Sequence, residues 1–125
     1  MILDTNALSA FADGDEGIAV KLSSVQLPCL PSIVLGEFRY GILGSKFLAR
    51  YERWLQRSLD VFSILPVDGE TAIHYASIRL GLKIRGTPIP ENDIWIAALG
   101  KQYSLPILSR DSHLNLVPEV RRIVW

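Results

Sequence analysis

Short apolar runs alternate along this chain with stretches of helical periodicity, and no other feature constrains its fold as tightly. The runs are Ile2 to Leu3, Leu27 to Leu30, "VFSIL" at Val61 to Leu65, "PILS" at Pro106 to Ser109, and "IVW" at the C-terminus. Between them, Pro31 and Ser32 open a helix through "IVLGEFRYGIL" that stops near Gly44. "KFLARYERWLQRSL" places Phe47, Tyr51, Trp54 and Leu55 on one helical face. Asp68 with Thr71 caps a third helix, from Gly69 to about Ile84, ended by Gly86 and Pro88. Asn92 or Asp93 opens a fourth, "IWIAALGKQY", which is apolar almost all round and therefore central. Strands alternating with helices predict an α/β fold with a central, mostly parallel β-sheet flanked by helices. The 125 residues suffice for one domain, 1–125, around a single core.

Composition narrows the class. Hydrophobic residues make up 49% and charged ones 21%, the balance of a folded soluble chain and not of a disordered or fibrous one. No apolar run approaches the roughly eighteen residues of a membrane span. No basic segment leads into an apolar one with a cleavage site, so the expected location is cytoplasmic. Cys29 has no internal disulfide partner and reads as a buried thiol. One cysteine and two distant histidines do not make a zinc site. Thirteen basic side chains balance thirteen acidic ones, so the chain has no global electrostatic footprint for nucleic acid. If four acids gather in one site, thirteen basic groups face only nine acids over the rest of the surface.

The acids do fall in a pattern. In an open parallel sheet, the carboxyl ends of strands and the amino ends of the following helices share one rim, where ligands bind. Asp4 ends the first strand, and Glu37 lies in the second turn of the helix after the second. Asp93 opens the central helix, and Asp111 follows "PILS" by two residues. All four are expected at that rim, whereas Asp60 precedes its strand and belongs at the opposite one. Each taken singly has an ordinary role open to it as a cap, turn or surface residue. Two like charges 4 Å apart repel by about 4 kcal/mol at an effective dielectric of 20. Clustered carboxylates must therefore raise their pKa values or share a cation. An oxygen-only donor set selects a hard ion, Mg²⁺ first and Mn²⁺ as its substitute. Such a site suits phosphodiester hydrolysis by metal-activated water.

Four segments carry these acids: "LDTNALS" at Leu3 to Ser9, "VLGEFRYG" at Val34 to Gly41, "IPENDIWIAAL" at Ile89 to Leu99 and "LSRDSHL" at Leu108 to Leu114. In this order they resemble the motif blocks of PIN-domain ribonucleases, in particular the VapC toxins of bacterial toxin–antitoxin pairs. The resemblance implies a PIN-like fold and an acidic site at Asp4, Glu37, Asp93 and Asp111. It matches Asp4 and Asp93 to the principal metal ligands, and Asp111 to a position that completes the metal shell directly or through water. Glu37 matches the acid that helps orient water. Thr5, Asn6, Asn92 and Ser109 fall where the family places polar groups behind the acids, Ser109 standing where threonine is frequent. The resemblance further implies Mg²⁺-dependent endonucleolytic cleavage of RNA, a homodimer, and neutralisation by a small cognate antitoxin.

Other residues admit two readings. Lys46, Arg50, Arg53 and Arg57 recur at helical spacing, as an RNA-backbone contact or as a solvated helix face. Arg39 and Arg110 lie near the acids in sequence and either pair with phosphate or offset the acids. Asp111, Ser112 and His113 do not make a catalytic triad, because triads are assembled from separate segments. His74, with no second histidine near, makes no metal pair. Gly36 and Gly41 weaken a helix by about 1 kcal/mol each relative to alanine, which predicts a close approach of a neighbouring backbone or a dimer contact. A receiver-type phosphoacceptor would want a second acid beside Asp4 and a late lysine, where this chain has Thr5, Asn6 and Arg110. A haloacid-dehalogenase-like phosphatase would need an acid at position 6. A non-catalytic PIN-like binding module is the remaining alternative.

Overall fold

The computed structural model describes residues 1–125 and gives one five-stranded sheet, all parallel, in the order β3-β2-β1-β4-β5. The strands are β1 (Ile2–Leu3), β2 (Cys29–Pro31), β3 (Ser63–Leu65), β4 (Ile107–Leu108) and β5 (Arg122–Ile123). Six helices connect them: α1 (Thr5–Ala12), α2 (Glu16–Ser23), α3 (Ser32–Leu43), α4 (Leu48–Ser58), α5 (Gly69–Arg85) and α6 (Glu91–Tyr103). The α/β reading holds. β1, β2 and β4 are buried at every residue, as parallel strands covered on both faces must be. No helix is long and apolar enough to cross a membrane.

Several local expectations shift. The run from Val61 is strand only from Ser63, because Leu59–Val61 forms a 3₁₀ turn off the end of α4. α6 begins at Glu91 with Pro90 as its N-cap, so Asp93 lies inside its first turn and does not open it. α1 and α2 carry no expectation from the sequence. Each is only eight residues long, and helices that short depend on caps and packing. Asp4 accepts from the Thr5 amide at the first, and Asp15 from the Gly17 and Ile18 amides at the second.

Packing then fixes the rim. α6 runs beside α5, with Tyr75 and Trp95 stacked at 3.8 Å and Thr71 bonded to Gln102 at 2.5 Å. Ile94, Ile96, Ala97, Ala98 and Leu99 are all buried, which makes α6 the central helix expected from its composition. Asp68 and Thr71 form a reciprocal capping box at the start of α5, and Gly86 ends it in the left-handed conformation. β1 pairs with β2 on one side and β4 on the other. The chain order therefore reverses at β1, and a crevice opens at the carboxyl ends of its strands.

Candidate functional site

Asp4 is the first residue beyond β1 and is 5% exposed. A carboxylate there needs donors on every side, and the chain supplies them. Its Oδ1 accepts the Thr5 amide at 2.7 Å, while Oδ2 accepts the Ser109 hydroxyl at 2.6 Å and the Asn6 amide group at 2.8 Å. Ser109, itself fully buried just beyond β4, also accepts from Asn6 at 3.0 Å and from the Asp111 amide at 2.9 Å. Asn6 Oδ1 accepts the Arg110 amide at 3.0 Å. Asn6 and Ser109 thus lace the carboxyl ends of β1 and β4 together around one carboxylate. Burial raises the Asp4 pKa, and the bonds from Ser109, Thr5 and Asn6 work against that rise.

Glu37 reaches the same crevice from α3. Its two oxygens accept from Thr5 Oγ1 and, at 2.6 Å, from Asn92 Nδ2. Asp93, one residue further along α6, is different: its side chain is 15% exposed, and Oδ2 is buried without a hydrogen bond. Its pKa is pushed up to about 6, by burial first and then by Asp4 and Asp111, with His113 pulling the other way. Asp111 caps the 3₁₀ turn Ser112–Leu116, its Oδ1 accepting the His113 amide at 2.9 Å. Asp4, Glu37, Asp93 and Asp111 together line one cavity of about 870 Å³, with Thr5, Asn6 and Asn92 in its wall.

One residue at this site is not foreseen by the pattern of acids. His113 Nδ1 lies 3.1 Å from Asp111 Oδ1 and 3.4 Å from Asp93 Oδ2. No triad forms with Ser112. The signal is present nonetheless: an aspartate followed two residues on by histidine, where the Asx turn folds the second residue back over the first. The donors therefore include one nitrogen beside the oxygens.

Among the lysines and arginines, none pairs with the four acids. Arg110, although adjacent to Asp111, turns its guanidinium to Asp15 at 3.2 Å and over the Trp125 ring at 4.2 Å. Arg39 pairs with Glu52 at 3.6 Å. Arg50 lies 3.9 Å from Asp13, and it and Lys46 sit over the Phe47 ring. A Cβ on Gly36 or Gly41 would meet nothing within 4 Å, so no neighbouring backbone of this chain explains either glycine. Cys29 is buried and unpaired with any other thiol.

The cavity fits a divalent cation. Asp93 and Asp111 sit close enough to share one ion, an oxygen of Asp93 is buried without a well-formed hydrogen bond, and burial together with the charges of Asp4 and Asp111 pushes the pKa of that aspartate up to about 6. Each of these features is relieved by a positive charge placed among the carboxylates.

Residues 1–120 match the PIN domain family. Toxin FitB of Neisseria gonorrhoeae is 35% identical over 122 residues, covering 90% of this chain and 88% of that protein. Ribonuclease VapC5 of Mycobacterium tuberculosis is 29% identical over 118 residues, covering 88% of this chain and 82% of its own. Among solved structures, DNA-bound VapBC from Salmonella typhimurium superposes with a TM-score of 0.90 and 26% identity, over 99% of this chain and 96% of that one.

Proposed function

The chain belongs to the PIN-domain family, and we propose that it is a Mg²⁺-dependent endoribonuclease, the toxin of a toxin–antitoxin pair. The observation that carries the reading is the convergence of Asp4, Glu37, Asp93 and Asp111, from four separate segments, on one cavity with a buried unpaired oxygen. The likeness to a toxin, FitB, and to a ribonuclease, VapC5, supports the activity. The likeness to VapBC toxin–antitoxin structures, at 26% and 27% identity, supports an antitoxin as partner.

Asp4, Asp93 and Asp111 would hold the cation. A divalent cation held there would supply activation of the attacking water and charge to offset the phosphoryl transition state. Everything else falls to the side chains. Ser109 and Asn6 donate to Asp4 and hold its carboxylate at the strand end, a rigid place for a ligand. Glu37, fixed by Thr5 and Asn92, orients the attacking water and accepts its proton.

RNA would reach this crevice with Arg39, Lys46, Arg50 and Arg110 as its phosphate contacts. The surface ion pairs of Arg39, Arg50 and Arg110 are worth little and yield to phosphate. Two apolar surfaces stay uncovered in the single chain: Tyr40 with Leu43 on α3, and Ile73, Leu80 and Ile84 along one stripe of α5. A homodimer and the antitoxin cover them. Residues 1–125 form a single PIN-like domain that works in the cytoplasm.

Induced expression in a bacterial host tests the reading. Wild-type protein arrests growth and leaves new RNA ends, whereas Asp4→Asn at equal abundance does neither. Arrest by both forms, or unbroken RNA in arrested cells, overturns it.

A further inference from the structure

The acid cluster is not built of oxygen donors alone. His113 Nδ1 stands 3.1 Å from Asp111 Oδ1 and 3.4 Å from Asp93 Oδ2, and one donor atom from each of the three residues lies within 4.8 Å of the others. Neighbouring positions of an octahedral site with bonds of roughly 2.1 Å are about 3 Å apart. The spacing therefore suits three donors turned toward one cation. Asp93 Oδ2 is buried with Nδ1 3.4 Å away, too long for a well-formed hydrogen bond, and Asp111 Oδ1 also accepts the backbone amide of His113 at 2.9 Å. The position is also anchored on both sides: Asp111 caps the turn, and Leu114 is fully buried.

We propose that His113 Nδ1 is a ligand of the same divalent cation as Asp93 and Asp111, and that this nitrogen biases the centre toward Mn²⁺ over Mg²⁺. The inference rests on the metal-centre reading above and adds a donor that the acids do not supply. Mg²⁺ is a hard ion that takes oxygen and keeps its waters. Mn²⁺ is also well served by carboxylate and water, but as a transition ion it accepts an imidazole nitrogen more readily than Mg²⁺ does, so a site with one nitrogen gains more from Mn²⁺ than from Mg²⁺. About half of the His113 side chain is exposed, so substitution there leaves the core untouched.

Metal-free wild type, His113→Ala and His113→Gln are titrated with Mn²⁺ by electron paramagnetic resonance, and with Mg²⁺ by competition. Electron spin-echo envelope modulation of bound Mn²⁺ then reads any directly bonded nitrogen. The expected result is nitrogen modulation in the wild type and none in either variant. Mn²⁺ affinity should fall at least about tenfold on substitution, while Mg²⁺ affinity changes by less than about threefold. Mn²⁺ bound to wild type without nitrogen modulation overturns the ligand role, an equal loss for both ions overturns the Mn²⁺ bias, and either result leaves the metal centre standing. Failure of wild type to bind Mn²⁺ at all overturns both. The wild-type spectrum decides the point even if a variant fails to fold.

Discussion

Replacing Asp93 with asparagine should make the metal-free protein more stable, and only at neutral to alkaline pH. In the unfolded chain this carboxyl titrates near 3.8; in the native protein it is pushed up to about 6, first by burial and then by Asp4 and Asp111. A raised acid pKa means that the folded state prefers the protonated form. Stability is therefore unaffected below about pH 4, declines as pH rises through the native pKa, and carries the whole penalty above about pH 7. At 1.36 kcal/mol per tenfold change the full shift amounts to about 3 kcal/mol. The side chain is 15% exposed and borders an open crevice, so a net value of about 1 to 3 kcal/mol is the sound expectation. Asparagine keeps the shape and removes the charge. Thermal melts in chelator should place Asp93→Asn above wild type by about 3 to 10 °C at pH 8, with the gap closing by pH 4. Saturating Mg²⁺ should reverse the order, because only the carboxylate binds it. A gap that is absent at pH 8, or equal at pH 4 and pH 8, would refute the electrostatic account of the site.

Three further outcomes follow from the same geometry. Mn²⁺ or Mg²⁺ at about a hundred times its Kd should stabilise wild type by about 2.7 kcal/mol, and a melting temperature indifferent to metal would count against a shared cation. Ser109→Ala withdraws one of the donors to buried Asp4 Oδ2 and should cost about 1 to 3 kcal/mol in chemical denaturation; no loss would mean that Asn6 alone satisfies that oxygen. Lys46→Glu with Arg50→Glu should weaken RNA binding about equally across sequences and flatten its salt dependence by roughly one unit for each phosphate no longer engaged, whereas an unchanged slope would return this face to solvent.

The parts of this fold legible in the sequence are those where local chemistry and tertiary context agree. The Ile2–Leu3 strand stopping at Asp4, the Asp68 cap with Gly86 at the far end, and the apolar circumference of α6 each announce themselves and are found in place. α1 and α2 are not legible, because eight-residue helices broken at Asp13 and Gly14 carry little periodicity and are stabilised by packing on the rest of the chain. The acids gather as their strand and helix positions suggest, since one topological rule sends strand ends to one rim. Two features lie beyond that rule. His113 arrives by a single turn of 3₁₀ helix, a geometry that residue spacing alone underdetermines. Arg110 departs because Asp15 and Trp125, distant in sequence, draw it away.

Whether this crevice cuts RNA with a cation held by its acids is decided most directly by one measurement. Purified wild type and Asp4→Asn, free of any antitoxin, are incubated with a pool of structured RNAs in Mg²⁺ or in chelator, and the product ends are mapped. Discrete cuts are expected, made by wild type in Mg²⁺ alone, that leave a phosphate on the 5′ end and a hydroxyl on the 3′ end, because water and not the neighbouring 2′-hydroxyl is the nucleophile. Cuts that persist in chelator or in Asp4→Asn, cyclic phosphate ends, or intact RNA beside folded wild type with metal bound would contradict this chemistry.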